Sequence, residues 1–165
     1  MKSSRPRVLT DDQAVDFVRQ ARVEGRRIAF TNGVFDLLHP GHVQYLAEAR
    51  GHAEALVVGL NSDRSVRAIK GPSRPVNPEH ERAEVLLALA SVDAVVIFDQ
   101  DTPHQLISRL EPDVLVKGAD WSADAIVGRD VVERRGGRVV RVTMVEGLSS
   151  TELIQRVHRT QHPPS

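Results

Sequence analysis

The chain of 165 residues contains no cysteine, which excludes both a disulfide framework and a metal site built from thiolates. It also lacks an apolar run long enough to span a bilayer, and the basic N-terminal segment MKSSRPRVLT is not followed by the apolar stretch of a signal peptide. We therefore expect a cytoplasmic protein that does not associate with membranes.

An excess of charge is absent as well, because 22 basic residues balance 22 acidic ones. This neutrality argues against broad binding to nucleic acids. Lysine is scarce among the basic residues: only Lys2, Lys70 and Lys117 occur beside the arginines. A lysine that such an arginine-rich chain keeps inside its fold is a candidate for a chemical role.

Short apolar segments alternate with amphipathic ones along the whole chain. Five of them predict strands: RRIAFT, ALVVGL, AVVIF, DVLVK and RVVRV. Strands separated by helices form parallel sheets, so we expect an α/β protein with a Rossmann-like five-stranded parallel sheet, strand order 3-2-1-4-5 and helices on both faces. The length favours a single domain over residues 1–165, with a core at about 27–157 and flexible tails at 1–9 and 160–165.

Local signals refine this arrangement at three places. Thr10 and Gln13 predict a capping box before the first helix. Asn77 and Pro78 are predicted to cap and begin a later helix. The intervening segment 61–76 is predicted to be a polar loop with at most a short helical turn.

The stretch TNGVFDLLHPGH, residues 31–42, directly follows the first predicted strand. Pro40 suits the first turn of a helix, whose N-terminus offers unpaired N–H groups and a positive dipole end to an anion. Gly41 lets a phosphate approach the backbone, and His39 and His42 are close enough in sequence for both imidazoles to face that anion. The predicted strand order places this stretch opposite the segment KGAD, across the crevice where such sheets bind ligands.

Alternative roles for the two histidines are weaker. They could be surface residues beside a helix-starting proline. A zinc site would need a third ligand, usually from a second element, and only Asp36 is close in sequence. Neither G-x-G-x-x-G nor G-x-x-x-x-G-K-[ST] occurs, so the dinucleotide and P-loop motifs are absent.

The stretch GVFDLLHPGH resembles the motif of the nucleotidyltransferase superfamily that includes cytidylyltransferases and pantetheine-phosphate adenylyltransferase. The segments NSDRSVRAIKGPSRPVNP, PDVLVKGADW and EGLSSTELI resemble those of the adenylyltransferases acting on D-glycero-β-D-manno-heptose 1-phosphate. This resemblance spans about residues 27–157. It implies transfer of AMP from ATP to a sugar 1-phosphate, giving ADP-heptose for lipopolysaccharide core synthesis and pyrophosphate.

The resemblance also assigns roles to individual residues. The H-x-G-H histidines of the family bind the triphosphate and stabilise the transferring phosphoryl group, which corresponds to His39 and His42, with Lys70 as a lysine of a mobile loop. Asn61 and Asp63 are candidates for binding sugar hydroxyls. The implied nucleotide-binding residues are Thr31, Asn32, Gly33, Phe35, Asp36, Gly41, Arg82, Lys117, Gly118, Asp120, Ser149, Ser150 and Thr151.

Several of these residues also have a purely structural interpretation. Lys70 could be a solvated loop cation and Lys117 a side chain extended along a strand end. Ser149 to Thr151 could be an ordinary helix cap, and Arg82 could pair with Glu79 or Glu81 on one helix face. Trp121 is predicted to be a packing residue, and Asn61 and Asp63 could simply turn the chain.

One departure from the family pattern concerns the nucleotide. Glycerol-phosphate cytidylyltransferases carry R-T-E-G-I-S-T where this chain has TMVEGLSST, so Met144 replaces an arginine that helps those enzymes hold CTP. This favours ATP. We expect Mg²⁺ as the cofactor, bound mainly through the ATP phosphates, and no metal ligand is assigned to a side chain.

Three other functions remain open from the sequence. The chain could be a cytidylyltransferase acting on glycerol or ethanolamine phosphate, a non-catalytic nucleotide sensor, or an interaction module for a sugar kinase, to which the family's domain is often fused. The expected partners are small-molecule substrates, without nucleic acid. The resemblance further implies a homodimer and a separate sugar kinase in the same pathway.

Overall fold

The computed structural model describes residues 7–161 and shows one parallel sheet with helices on both faces. The strands are β1 (Arg7–Leu9), β2 (Ile28–Gly33), β3 (Ala55–Asn61), β4 (Ala94–Phe98), β5 (Val114–Gly118) and β6 (Arg138–Val142). The helices are α1 (Asp11–Val23), α2 (Pro40–Gly51), α3 (Asp63–Lys70), α4 (Glu79–Leu87), α5 (His104–Leu110), α6 (Arg129–Arg134) and α7 (Ser150–Gln161), with a 3₁₀ turn at Ala123–Ala125.

The strand order is β1-β4-β3-β2-β5-β6, and every neighbouring pair is parallel. The last five strands of this order confirm the predicted 3-2-1-4-5 arrangement. The prediction of five strands and of a tail over 1–9 missed β1, which pairs with β4 at the sheet edge. Three residues are too few for an alternating pattern to stand out in the sequence. The remaining tail residues, 1–6 and 162–165, lie outside the described part of the chain.

Two apolar cores lie on opposite faces of the sheet. One packs α1, α5 and α6 against the strands, through residues such as Val18, Ile107 and Val132. The other packs α2 and α4 on the second face, through residues such as Leu46 and Leu86. All residues of β3 are buried, because both sides of this central strand are covered. The polar segments at the strand ends are therefore supported from two sides.

The predicted helix starts are right at one place and wrong at another. Thr10 and Gln13 form the capping box of α1, as expected. Asn77 does not cap α4, which begins at Glu79 without a side-chain cap. The side chain of Asn77 instead donates to the backbone carbonyl of Asp36 at 3.2 Å.

Segment 61–76 contains more regular structure than the sequence indicated. α3 extends over Asp63–Lys70, where at most a short turn was expected. Ser62 caps it by accepting from the Ser65 N–H at 3.1 Å, and the buried Val66 anchors it to the sheet. The helix was missed because it presents so few apolar residues. Within residues 7–161, no helix combines the length and apolar character needed to cross a membrane.

Candidate active site

A cavity of about 520 Å³ opens at the carboxyl ends of β2, β3 and β5, where the strand order reverses. Most of the predicted site residues line it: Asn32, Gly33, Phe35, Asp36, His39, His42, Asn61, Lys70, Lys117, Gly118, Asp120, Ser149, Ser150 and Thr151. The predicted residues Thr31, Gly41, Asp63 and Arg82 do not. The cavity thus brings together segments that are far apart in sequence.

His39 and His42 lie at the first turn of α2. His39 is the N-cap residue, and its Nδ1 accepts the backbone N–H of His42 at 3.4 Å, with Pro40 in the first helical position. The two imidazole rings stack with centroids 3.8 Å apart. A Cβ on Gly41 would approach the His39 ring to 2.9 Å, so this glycine makes room for the imidazole.

Both histidines are held in the neutral form. Burial lowers the pKa of His39, with Glu152 acting in the opposite direction. Burial and the proximity of His39 lower the pKa of His42 from 6.5 to about 4. Because Nδ1 of His39 accepts a hydrogen bond, its proton resides on Nε2, which is then a donor. A neutral donor pair at a helix N-terminus is suited to binding phosphate oxygens.

Lys117 occupies the other side of the crevice, near the end of β5. Its ammonium group donates to Oδ1 of Asn32 and lies 5.8 Å from the centroid of the Trp121 ring. Burial lowers the pKa of Lys117 from 10.5 to about 8, although Asp120 acts to raise it. Trp121 is 51% exposed and lines the cavity, so the structure does not bury it as the expected packing residue.

Close packing shapes the two strand ends that carry these groups. Phe35 adopts a positive φ of 46°, and a Cβ on Gly33 would approach its ring to 2.9 Å. A Cβ on Gly118 would overlap the Asp120 carboxylate and approach the Met144 side chain to 3.3 Å. Gly33 and Gly118 therefore allow these side chains to fold back over the strand ends.

Asp36 fixes the segment that follows α3. Its carboxylate is buried and accepts from Arg74 Nε at 2.6 Å and from the backbone N–H groups of Val76 and Asn77 at 2.9 and 3.0 Å. Burial opposes ionisation, but these donors outweigh it and hold the pKa of Asp36 below its usual range. Asp36 lines the cavity, yet its acceptor capacity is used by the protein itself.

Arg82 lies beneath the cavity and is 1% exposed. Its guanidinium donates to the backbone carbonyls of Asn77, Val34 and Asn61 and to the Asp63 carboxylate, at 2.8–2.9 Å. The sequence left open a pairing with Glu79 or Glu81, and the structure shows Asp63 in that place. Arg82 and Asp63 thus hold the ends of β2 and β3 together with α3 and α4.

Thr31 and Asn61 also make internal contacts. The Thr31 hydroxyl is 2.8 Å from the hydroxyl of Tyr45, which donates to the Val116 carbonyl at 3.2 Å. Thr31 is fully buried, so it connects α2 to the central strands and does not reach the cavity. Asn61 lines the cavity, and its amide donates to Ser65 at 2.9 Å.

The N-terminus of α7 forms a further wall. Ser149 accepts the backbone N–H of Glu152 at 3.1 Å, which is the cap that the sequence suggested. The Ser150 hydroxyl donates to the Leu37 carbonyl at 2.9 Å and accepts the Leu37 N–H at 3.2 Å. α7 is thereby attached beside α2, so two helix N-termini border one cavity.

Sequence reasoning missed several residues of the cavity wall. Tyr45, Arg74, Asp101, Thr102, Ile126 and Val127 all line it. Nothing in the sequence distinguishes Arg74 from the many other arginines, and Ile126 and Val127 resemble ordinary core residues. Asp101 and Thr102 follow a predicted strand at its carboxyl end, which is the one signal that could have identified them.

A crevice at the carboxyl ends of a parallel sheet, bordered by paired histidines and two helix N-termini, defines a Rossmann-like protein with a site suited to a phosphorylated ligand. Residues 30–156 match the family described as cytidylyltransferase-like, and the chain belongs to this family.

Relatives and solved structures agree with this assignment. The chain is 53% identical over 152 residues to the bifunctional protein HldE of Hyphomonas neptunium, covering 92% of this chain and 31% of that protein. It is 55% identical over 150 residues to HldE of Mesorhizobium japonicum, covering 91% and 30%. The crystal structure of the lipopolysaccharide core biosynthesis protein from Thermoplasma volcanium matches with a TM-score of 0.63 and 26% identity, over 74% of this chain and 100% of that one. The chain therefore spans under a third of the length of these HldE relatives.

Proposed function

We propose that the chain is an adenylyltransferase that transfers AMP from ATP to D-glycero-β-D-manno-heptose 1-phosphate, giving ADP-heptose and pyrophosphate. The observation that carries this proposal is the stacked pair His39 and His42 at the N-terminus of α2, in a chain more than half identical to HldE. The cavity offers hydrogen-bond donors and cations where such a reaction develops charge.

In the proposed reaction, an oxygen of the sugar phosphate attacks the α-phosphorus of ATP while the bond to the β-phosphate oxygen breaks and pyrophosphate leaves. The attacking phosphate monoester is already anionic near neutral pH, so no general base is needed. Catalysis then consists of aligning the attacking oxygen with the α-phosphorus and the leaving group, and of stabilising charge on the phosphoryl oxygens. Neutral His39 and His42 donate hydrogen bonds to these oxygens, and Lys70 and Lys117 supply positive charge from other sides of the cavity.

Mg²⁺ fits this arrangement as an ion bound through the nucleotide. Among residues 7–161 no group of three acidic or histidine side chains is placed to hold a metal, and Asp36 is already saturated with donors. Oxygens of the β- and γ-phosphates and water would then provide its ligands. When bound, Mg²⁺ would neutralise part of the charge on the departing pyrophosphate.

The proposal includes ATP as the nucleotide. Met144 lines the cavity beside Gly118, at the position where glycerol-phosphate cytidylyltransferases have an arginine. A thioether presents an apolar surface to a base and no charged donor to a pyrimidine carbonyl. We expect kcat/KM for ATP to exceed that for CTP by at least roughly tenfold, equivalent to about 1.4 kcal/mol.

The decisive experiment measures pyrophosphate release from ATP and CTP with a panel of acceptors: several sugar 1-phosphates, glycerol phosphate and ethanolamine phosphate. Turnover with ATP and heptose 1-phosphate as the strongest pair supports the proposal. Turnover with CTP and glycerol phosphate would instead identify a cytidylyltransferase. ATP binding without pyrophosphate release for any acceptor would identify a nucleotide sensor.

The proposal extends to partners. The HldE relatives are named bifunctional and are about three times longer than the matched region. A sugar kinase supplied by a separate chain would provide the phosphorylated acceptor. We also propose a homodimer, which sedimentation analysis of the purified chain would test.

A further inference from the structure

Asp101 is an unassigned carboxylate in the wall of the cavity, just beyond the end of β4. We infer that Asp101 binds hydroxyl groups of the acceptor sugar and thereby determines which sugar phosphate is used. This inference deepens the proposed function and rests on it. It assigns a specificity role to the loop after β4, from which the sequence suggested no site residue.

The strand order divides the cavity into two halves. The end of β5 and the loops after β5 and β6 contribute Lys117, Trp121 and Met144 on one side of β2. The segments after β3 and β4 contribute Lys70 and Asp101 on the other side. His39 and His42 follow β2 between the halves. The residues proposed to bind the nucleotide base side, Lys117 and Asp120, belong to the β5 half, so the inference places the acceptor in the half that carries Asp101.

The hydrogen-bonding state of Asp101 distinguishes it from neighbouring carboxylates. Asp36 is bound by Arg74 and Asp63 by Arg82. Asp99, two residues before Asp101, pairs with Arg64 at 2.8 Å. Within the described range 7–161, Asp101 takes part in none of the side-chain hydrogen bonds or ion pairs, and its oxygens are available to a ligand.

Asp120 is the other cavity-lining carboxylate without such a bond among residues 7–161, but its environment differs. It lies against Gly118 and acts electrostatically on Lys117, whose charge compensates it. Asp101 forms no ion pair within residues 7–161, and its side chain is exposed where the cavity opens to solvent. Neutral O–H donors of a ligand could replace the water on this carboxylate.

The chemistry of the substrates indicates which ligand group this is. A carboxylate beside the phosphates of ATP or of the acceptor would repel them, whereas a polyhydroxylated sugar supplies neutral O–H donors. Pro103, two residues after Asp101, also lines the cavity and offers apolar surface to the C–H face of a sugar ring. A carboxylate that accepts hydrogen bonds beside an apolar surface suits both the hydroxyl groups and the C–H groups of a polyol.

The test compares Asp101→Asn and Asp101→Glu with wild type, and uses Glu48→Gln as a control because Glu48 is exposed and outside the cavity. Pyrophosphate release gives KM for heptose 1-phosphate, and calorimetry gives the Kd for ATP. Asp101→Asn should raise KM for the sugar phosphate about ten- to a hundredfold, as expected for loss of hydrogen bonds to a charged group. Asp101→Glu should be impaired as well, while the Kd for ATP stays within about twofold of wild type.

The outcomes separate the two proposals. Wild-type turnover of heptose 1-phosphate with an unchanged KM in Asp101→Asn would overturn the role of Asp101 and leave the proposed function in place. Tighter ATP binding in Asp101→Asn with an unchanged sugar KM would overturn it too, by showing that the carboxylate faces phosphate. Absence of turnover with any sugar 1-phosphate in wild type would overturn the proposed function and, with it, this inference.

Discussion

The imidazole rings of His39 and His42 stack at a centroid distance of 3.8 Å and an interplanar angle of 24°. At this distance, a positive charge on one ring disfavours protonation of the other. The pair is therefore a source of two neutral N–H donors at the N-terminus of α2, and its contribution to catalysis should come from hydrogen bonds that strengthen as charge moves onto the phosphoryl oxygens.

Replacement of His39 or His42 by alanine should lower kcat by roughly 10²- to 10³-fold, as does removal of one donor from an oxyanion site. Asparagine, which keeps a donor but has a shorter reach, should cost less. Steady-state kinetics and thermal melts test this together, with His80→Ala on the exposed face of α4 as a control. A variant that melts well below wild type but keeps its kcat would show that the histidine is structural.

The depressed pKa values of the histidines predict a loss of stability in acid. The folded-state pKa of His42 is about 4, against 6.5 for an unperturbed histidine, so the unfolded chain takes up protons first as the pH falls. The free energy of unfolding should therefore decrease from above pH 6.5 toward pH 4. Urea denaturation at pH 7 and at pH 5 should show a smaller decrease in the free energy of unfolding for His42→Gln than for wild type. Equal decreases in both proteins would contradict the assignment.

The lowered pKa of Lys117 predicts that nucleotide affinity falls at alkaline pH. Its pKa of about 8 means that the free protein loses this charge as the pH rises from 7 to 9. The Kd for ATP should increase about three- to tenfold over that range. Lys117→Arg, whose guanidinium stays charged, should bind ATP with little pH dependence. Titrations that follow the fluorescence of Trp121, the single tryptophan, measure both; a flat wild-type profile would exclude this role for Lys117.

Asp36→Asn should destabilise the protein by about 1–3 kcal/mol, because the substitution leaves the Arg74 guanidinium and two backbone donors with a weaker acceptor. Chemical denaturation measures the change. Asp16→Asn, which removes an exposed ion pair with Arg19, should cost much less. Unchanged stability of Asp36→Asn with weakened ATP binding would instead support direct nucleotide contact.

Lys70→Ala should lower kcat far more than it weakens ATP binding, since Lys70 ends α3 at the rim of the cavity. Lys70→Arg should not restore full activity, because a planar guanidinium does not replace a compact ammonium group. Arg67→Ala provides the control, as Arg67 is exposed on the same helix and outside the cavity. Similar kinetics for both alanine variants would show that Lys70 is an ordinary surface cation.

The parallel sheet and its central strand order could be predicted from sequence, because five clearly apolar segments alternate with predicted helices. β1 and α3 could not, since one has three residues and the other presents little apolar surface to the sheet. The histidine pair was predictable for a similar reason, as it adjoins a strand end and a proline in one continuous stretch.

The internal partners of Asp36, Asp63 and Arg82 could not be predicted from sequence. Each depends on partners in segments that approach only in the folded chain, such as Asp36 with Val76 or Arg82 with Val34. A charged residue near a motif has the same appearance in sequence whether its partner is a substrate or a backbone carbonyl. Burial and hydrogen-bond connectivity distinguish the two cases.

Arg82 illustrates what this distinction means for surveys of functional positions. A search that ranks residues by distance to a bound substrate would give this buried guanidinium a low score, and a search for exposed charge would omit it. Yet it connects the segments that carry Val34, Asn61, Asp63 and Asn77. A disabling change at Arg82 would accordingly resemble a folding defect in a cell-based screen, although Arg82 supports the segments that form the proposed active site.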